Sequence, residues 1–334
     1  MYSTNQFLES LYNKLQPEKK LADLNKEEFE KEKSIRIQKL KELFKLDELK
    51  ELFDKDITYE IEDNFEEMSI QIDKYRVDAI DGLQFPVYHV KPEKPNGKKI
   101  LFLHGHDDLG IMGALLERHD KVRYHKMIPL KLAKEGYDVY APEFIGLGEA
   151  HYNDFPKGSE KPSGCLPNSN FLTLLGFSIG GFRVYQAIRT LDFLNKSGID
   201  DKLTVFGISG GGMTAQHLLP LDDRIENGIV ACYANTYADS ILAKDHCSCN
   251  YVPGLLRLGD SYEMLALAAP KKLFTVNGKA DRGFPKAGSE KAFEYLEKVY
   301  ANLGVSHNYT GRLIEGRHEI DEEAIISWLN HNVL

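Results

Sequence analysis

Cysteine is scarce in this chain of 334 residues, which contains only four: Cys165, Cys232, Cys247 and Cys249. Two of them, Cys247 and Cys249, are separated by a single residue, a spacing that gives poor disulfide geometry, so the pattern excludes a disulfide framework. The N-terminal residues also lack a basic start followed by an apolar run of signal-peptide length. We therefore expect a protein of the reducing cytoplasm.

Long apolar runs and an excess of positive charge are missing as well. No segment approaches the roughly 18 continuous apolar residues of a membrane span. The 42 Lys and Arg residues are outnumbered by 51 Asp and Glu residues, giving a formal net charge of −9. Such a balance disfavours nucleic acid or an anionic membrane as the main partner. We expect a small-molecule partner, and the composition leaves a homo-oligomer open.

The first 55 residues are rich in Lys, Glu and Leu and have almost no Gly or Pro. Apolar side chains recur there at helical spacing, at Ile37, Leu40 and Phe44 and again at Leu46, Leu49 and Phe53. This predicts two helices, broken near Pro17 and around residues 21–25. We interpret residues 1–55 as a helical cap on a domain formed by residues 56–334, with an oligomerisation arm as the alternative.

Beyond residue 56 the pattern changes to strands. Period-two alternation predicts antiparallel strands over 57–62, 66–77 and 83–90. A buried strand is predicted over 100–103, and helices and strands alternate after it. The predicted helices are 122–135, 181–196, one after Gly212, 287–303 and one from Asp321. The predicted strands are 137–143, 202–207, 228–233, 272–278 and 308–316. This order is typical of an α/β fold with a mostly parallel central sheet, antiparallel N-terminal strands and flanking helices. A loop-rich insert at about 146–175 is expected to form a lid or pocket rim.

Two segments carry the pattern Gly-x-Ser-x-Gly: "LLGFSIGG" at 174–181 and "VFGISGGG" at 205–212. A nucleophilic serine on a tight strand-to-helix turn needs such glycines, because larger side chains would clash there. Both segments follow apolar residues that resemble a strand, so the local pattern does not decide between them. Counted from the buried strand over 100–103, Ser209 follows two helices and two further strands, which is the order that the family resemblance given below implies for a nucleophile. Ser178 arrives one helix and one strand too early for that order. We therefore predict Ser209 as the nucleophile and Ser178 as a turn or helix-cap residue.

The remaining parts of a hydrolytic site follow in the order serine, aspartate, histidine. Asp281 lies in "NGKADRGFP" directly after a predicted strand, and His318 lies in "EGRHEID" before the last helix. An imidazole can remove the serine proton while a carboxylate fixes its tautomer. We predict two backbone amides as hydrogen-bond donors to an oxyanion: that of His106 in the loop of "FLHGH" and that of Gly210, directly after Ser209.

The motifs "FLHGH", "GISGGG", "NGKADRGFP" and "EGRHE", in that order, resemble the α/β-hydrolase superfamily over roughly residues 57–334. More narrowly, the chain is similar to the dienelactone-hydrolase and acetyl-xylan-esterase-like branch. Dienelactone hydrolases use a cysteine nucleophile, whereas Ser209 occupies that position here. The resemblance implies a serine esterase that cleaves small carboxylic esters, including acetyl esters of sugars or metabolites, without a metal or cofactor. An amidase, peptidase or thioesterase with the same triad is the alternative.

Three other interpretations compete with a serine hydrolase. The stretch "HGHDDL" nearly matches a metallo-hydrolase motif through His104, His106 and Asp108, but Leu109 replaces the last histidine ligand. The stretch "HCSC", residues 246–249, holds three donors in four residues, and no second pair follows at ligand spacing. We interpret it as a wall of the substrate pocket. A non-catalytic binding protein on the same scaffold is the third possibility.

Several further side chains are candidates for the pocket. His217 and His246 lie near enough to Ser209 in sequence to line it. Glu149 either contacts substrate or pairs with a neighbouring Lys or Arg. The two arginines that flank the predicted triad, Arg282 and Arg317, indicate either an acidic substrate group or ordinary surface charge, and we favour the latter.

Overall fold

A nine-stranded sheet forms the centre of the protein. The computed structural model describes residues 3–116, 124–150 and 164–333. Within these ranges the strand order is β1-β2-β3-β5-β4-β6-β7-β8-β9. The strands are β1 (Asp54–Glu67), β2 (Ile70–Ile80), β3 (Leu83–Lys91), β4 (Lys99–Leu103), β5 (Asp138–Pro142), β6 (Leu203–Ile208), β7 (Ile225–Ala231), β8 (Lys272–Gly278) and β9 (Tyr309–Ile314).

Strand direction divides this sheet into two parts. β1, β2, β3 and β5 pair antiparallel in that order, and the remaining neighbours pair parallel. A turn at Met68 and Ser69, both with positive φ, joins β1 to β2. The prediction of one strand over 66–77 was therefore wrong, because neither Gly nor Pro marks this turn in the sequence.

Helices cover both faces of the sheet. They are α1 (Thr4–Leu15), α2 (Lys26–Leu43), α3 (Leu46–Phe53), α4 (Met112–Leu115), α5 (Ile128–Lys134), α6 (Cys165–Leu174), α7 (Ile179–Lys196), α8 (Gly210–Leu221), α9 (Ser261–Ala266), α10 (Lys286–Asn302) and α11 (Glu322–Asn332). The helices α2, α3 and α7 to α10 pack on one face of the sheet and contribute to one core cluster. The helices α4, α5 and α11 pack on the other face and contribute to a second cluster. This layered arrangement confirms the predicted α/β architecture.

The predicted loop-rich insert at 146–175 contains a helix that was not expected. α6 occupies its C-terminal part, and residues 151–163 lie outside the described residues. The expected helix over 122–135 is shorter, since α5 spans only Ile128–Lys134. The apolar residues before Ser178 therefore belong to α6 and not to a strand, which separates Ser178 from the elbow pattern it resembles.

α7 is an apolar core helix. No single helix in the described ranges is long and apolar enough to cross a membrane; α6 and α7 satisfy that criterion only as a pair bent by 100°. Most of α7 is buried against the sheet and its neighbouring helices.

Three helices and a short 3₁₀ turn at Leu21–Asp23 make up the N-terminal segment, where two helices were expected. The additional break falls at Lys45, whose φ of 56° separates α2 from α3. Leu40, Phe44 and Leu49 from these helices join the same core cluster as α7 and α8. α2 and α3 therefore contribute to the core, whereas α1 has no buried residues.

Arg36 on α2 anchors the N-terminal segment to the body of the protein. Its side chain is 2% exposed and forms an ion pair of 3.1 Å with Glu263 of α9, which is 0% exposed. The same guanidinium donates to the carbonyl of Leu258 at 2.9 Å. Removing one partner of a buried ion pair leaves the other charge uncompensated.

We expect Arg36→Ala to lower the free energy of unfolding by about 3 kcal/mol, because the buried Glu263 carboxylate would keep only the partly exposed Lys20, at 3.4 Å, as a cation. Urea denaturation followed by circular dichroism measures this change. Glu290→Ala is the control, since it breaks an exposed pair with Lys286 and should cost less than about 0.5 kcal/mol. Equal effects of the two substitutions would contradict an anchoring role for Arg36.

Candidate active site

Ser209 lies on a strained turn between β6 and α8. Its φ of 55° and ψ of −119° place a non-glycine residue in a region that L-residues rarely adopt. The Ser209 amide donates to the carbonyl of Ala231 at 3.0 Å, which fixes the turn against the end of β7. The side chain is half-buried and lines a cavity at the carboxyl edge of the sheet.

Two glycines make this turn sterically possible. A Cβ atom on Gly207 would lie 2.1 Å from the carbonyl oxygen of Gly211. A Cβ atom on Gly211 would lie 1.9 Å from the carbonyl oxygen of Leu103 in β4. Both distances are far below van der Waals contact, so the first helical turn approaches the sheet only with glycine at these positions.

Asp281 and His318 are joined by a hydrogen bond at the same edge of the sheet. His318 Nδ1 lies 2.7 Å from Asp281 Oδ2, and the Asp281 side chain is 0% exposed. The other carboxylate oxygen, Oδ1, accepts from the amides of Gly283 at 2.7 Å and Phe284 at 3.1 Å. The turn after β8 therefore holds the carboxylate in a fixed orientation toward the imidazole.

A cavity of about 400 Å³ brings the three predicted side chains together. Its lining residues are Ser209, His246, Ala280, Asp281, Arg282, Gly283, Phe284, Arg317 and His318. The His318 imidazole packs against two aromatic rings, with centroid distances of 5.7 Å to Phe284 and 5.4 Å to Tyr124. These rings restrict the orientations open to the imidazole.

The loop after β4 passes directly beside Ser209. A Cβ atom on Gly105 would lie 3.0 Å from Cβ of Ser209. The Gly105 amide donates to Nε2 of His125 at 3.0 Å, and the Tyr124 hydroxyl donates to the carbonyl of His106 at 2.7 Å. Hydrogen bonds to the consecutive residues Tyr124 and His125 therefore hold the loop that carries the predicted donor His106.

His104 forms a buried pair with Glu143 beneath this loop. Its Nε2 lies 2.9 Å from Glu143 Oε1, and both side chains are almost fully buried. The other Glu143 oxygen accepts from the amide of Ile111 at 3.0 Å. His104, His106 and Asp108 do not converge on one point within the described residues, so the metallo-hydrolase interpretation of "HGHDDL" is not supported.

The imidazole of His106 faces three thiols. Its Nε2 lies 3.1 Å from Sγ of Cys165 and 3.5 Å from Sγ of Cys249, and Cys247 lies in the same group. Hydrogen bonds from Cys247 and Cys249, together with the buried Arg183 guanidinium, hold the pKa of the Cys165 thiol below its usual range. The residues of the "HCSC" stretch therefore face two sites: His246 lines the cavity, whereas Cys247 and Cys249 face His106.

Solved structures and a curated protein resemble this chain. No protein-family model matches it. The "Putative hydrolase YtaP" of Bacillus subtilis (strain 168) is 27% identical over 252 residues, which cover 72% of this chain and 79% of that protein. The structure described as a putative acetyl xylan esterase from Bacteroides fragilis NCTC 9343 is 15% identical, with a TM-score of 0.77 over 100% of this chain and 96% of the other. The chain has the α/β-hydrolase fold.

A second structural neighbour of this chain is a glucuronoyl esterase from Solibacter usitatus. It is 16% identical, with a TM-score of 0.59 over 87% of this chain and 90% of the other. These likenesses confirm, at the level of the fold, the resemblance inferred from the motif order.

Other sequence candidates fall outside the cavity. Ser178 is the N-cap of α7, where its hydroxyl accepts from the Gly181 amide at 3.0 Å, as predicted for a helix cap. Glu149 pairs with Lys74 at 2.6 Å, which is the second of its two predicted roles. His217 is buried against Phe44, and burial lowers its pKa to about 3, so it is not a pocket residue.

Sequence reasoning missed Tyr124, Phe284 and Cys232 as neighbours of the predicted triad. Cys232 follows β7, and its Sγ lies within 4.8 Å of the ligand atoms of both Asp281 and His318. Burial, and then the Asp281 carboxylate, raise the pKa of this thiol. Cys232 is therefore a protonated thiol that packs beneath the imidazole as an apolar side chain. No sequence motif around Cys232 indicates this position.

We expect Tyr124→Phe to loosen the loop after β4, because it removes the hydroxyl that donates to the His106 carbonyl. Amide hydrogen exchange at residues 104–111 should rise by roughly three- to tenfold, as a lost hydrogen bond costs about 1 kcal/mol. Tyr185→Phe is the matched control: it removes a hydrogen bond of the same 2.7 Å length, to Asp54, far from the loop. Unchanged exchange in Tyr124→Phe would show that the loop is held by other contacts.

Proposed function

We propose that this α/β-hydrolase is a serine esterase that cleaves small carboxylic esters through an acyl-enzyme at Ser209. The observation that carries the proposal is the hydrogen-bonded Asp281–His318 pair in the cavity that also contains the strained Ser209. Two structural neighbours, one described as a putative acetyl xylan esterase and the other as a glucuronoyl esterase, support ester hydrolysis. The hydrolase description of the Bacillus subtilis relative supports the reaction class.

In this proposal, His318 is the general base. Its Nδ1 is engaged by Asp281, which leaves Nε2 as the ring nitrogen that takes the Ser209 hydroxyl proton. The serine oxygen then attacks the ester carbonyl, and His318 returns the proton to the departing alcohol. Asp281 holds the tautomer and stabilises the imidazolium, a role that its two backbone donors prepare by fixing the carboxylate.

The amides of His106 and Gly210 are the proposed donors to the oxyanion. Gly210 is the first residue of α8, and an amide at that position has no acceptor within its own helix. The positive end of the helix dipole also points toward charge that develops beside Ser209. Gly105 is unsuited to this role, because its amide already donates to His125.

The walls of the cavity favour a compact substrate. Its volume of about 400 Å³ is near the lower end of ordinary small-molecule sites. Burial, and then the nearby Lys244, lower the pKa of His246, so its imidazole is neutral at pH 7 and can hydrogen-bond to a substrate oxygen. We propose acetyl and other short acyl esters as the substrates.

Ser209→Ala should reduce kcat/KM for p-nitrophenyl acetate by about 10⁴-fold or more, because it removes the nucleophile. Ser178→Ala is the matched control, since the same pattern surrounds a serine that only caps α7. It should retain kcat within about twofold while losing roughly 0.5–2 kcal/mol of stability. Fluorophosphonate labelling followed by peptide mass spectrometry locates the reactive serine directly.

Comparable activity losses in both variants, or an adduct at Ser178, would contradict the assignment of Ser209. Absence of any adduct together with no turnover would favour the binding-protein alternative. Assays with aminoacyl anilides and acyl thioesters distinguish an esterase from an amidase, peptidase or thioesterase with the same triad. A higher kcat/KM for an anilide than for its ester would favour the amidase.

Two arginines at the rim add a charge preference to the proposal. Arg282 and Arg317 both line the cavity and are exposed, and neither forms an ion pair with another described residue. Positive charge at the mouth of a cleft attracts anionic ligands, especially at low salt. We propose that esters bearing a carboxylate are preferred over neutral esters of the same length.

The double substitution Arg282→Gln/Arg317→Gln should lower kcat/KM for mono-p-nitrophenyl succinate by about tenfold at low salt, because the steering charge is lost. Turnover of p-nitrophenyl butyrate, a neutral ester of similar length, should change little. Arg312→Gln is the control, since this exposed arginine of β9 lies outside the cavity. An unchanged succinate-to-butyrate ratio in the double variant would show that these arginines are ordinary surface charge.

A further inference from the structure

Four potential metal ligands meet beside the candidate active site. The ligand atoms are Nε2 of His106 and the Sγ atoms of Cys165, Cys247 and Cys249, and all lie within 4.8 Å of one another. All four cysteines of the chain are free thiols in the structure, and three of them belong to this group. Cys232 is the exception, because it lies under the Asp281–His318 pair.

These donors come from three separate segments. His106 lies on the loop after β4, Cys165 is the first residue of α6, and Cys247 and Cys249 flank Ser248 in a 3₁₀ turn. His106 and Cys165 are 59 residues apart, and His106 and Cys249 are 143 residues apart. The "HCSC" stretch contributes two of the four ligands, Cys247 and Cys249, and the fold supplies the other two, His106 and Cys165.

The geometry suits a tetrahedral metal ion. Zinc bonds of about 2.3 Å to sulfur and about 2.0–2.1 Å to nitrogen place neighbouring ligands roughly 3.5–3.8 Å apart. The recorded separations from His106 Nε2, 3.1 Å to Cys165 and 3.5 Å to Cys249, need only small side-chain adjustments to fit. Three thiolates and an imidazole are soft ligands that favour zinc over magnesium or calcium.

A buried cation provides independent support. Arg183 on α7 is 1% exposed, and its Nη2 lies 2.9 Å from Sγ of Cys165. Among the described residues, it also donates to the carbonyl of Ile145, and no carboxylate there forms an ion pair with it. A buried guanidinium requires a nearby negative charge. Three thiolates around a divalent cation carry one net negative charge, which would neutralise Arg183.

We propose that His106, Cys165, Cys247 and Cys249 bind one Zn²⁺ ion in a closed structural site. On binding, the three thiols release their protons to solvent, and the ion gains three sulfur bonds and one nitrogen bond. With four protein ligands the ion has no open position for water or substrate, so its role is to hold the chain and not to activate a nucleophile.

The position of the ion determines what it stabilises. The His106 imidazole packs on Gly210, where an added Cβ atom would lie 2.5 Å from Cε1. The ion therefore links the loop after β4, which carries the proposed oxyanion donor His106, to residues 246–249, of which His246 lines the cavity. It also ties both of these to the start of α6. A single ion at this point crosslinks three segments that the sheet alone does not connect.

Metal content of the purified chain tests the proposal directly and does not depend on the proposed esterase activity. Protein expressed with zinc and purified under reducing conditions should contain about one zinc per chain by inductively coupled plasma mass spectrometry. Cys247→Ser should lower this content at least about fivefold. Cys232→Ser is the matched control and should retain about one zinc, because its thiol lies outside the group.

A second measurement covers the case in which Cys247→Ser fails to fold. Titration of the folded wild-type protein with an organomercurial should release its zinc, detected by a metallochromic dye, as three thiols react. Replacement of zinc by Co²⁺ should give the strong visible absorption of a tetrahedral cobalt–thiolate centre. Protein without bound metal, iron in place of zinc, or a disulfide between Cys165 and Cys247 or Cys249 would each overturn the proposal.

Discussion

The backbone turn at Ser209 is the constraint on which the geometry of this site depends. A non-glycine residue with positive φ is costly and persists only where the surroundings enforce it. Here the enforcing contacts are a hydrogen bond to the end of β7 and the close approach of α8 to β4, which only glycine at 207 and 211 permits. The central parallel strands therefore fix the hydroxyl at the carboxyl edge, where loops from β4, β8 and β9 converge.

The loop after β4 links several otherwise separate parts of the structure. It is held from below by the His104–Glu143 pair and from the side by Tyr124 and His125. It places Gly105 directly beside Ser209, and the His106 side chain faces the three thiols. A donor to an oxyanion is effective only when it is held in place before the reaction, so this density of contacts agrees with the proposed chemistry.

Much of the fold was predictable because periodicity and motif order are encoded locally. The strand over 272–278 was predicted with its observed bounds, and helix 181–196 and strand 202–207 were predicted to within two residues. The failures have physical causes. The break at Lys45 and the turn at Met68–Ser69 use positive φ without glycine, and the apolar run before Ser178 fits a strand and a helix equally well.

The sequence by itself determined which residue types are available and in what order, and that was enough to prefer Ser209 over Ser178 and to select Asp281 and His318. Only the tertiary structure decided which side chains meet. The Asp281–His318 hydrogen bond, the aromatic rings beside the imidazole and the group of thiols around His106 all join residues from different loops. Local patterns carry no information on such meetings, because strand order and loop packing bring together residues that are far apart along the chain.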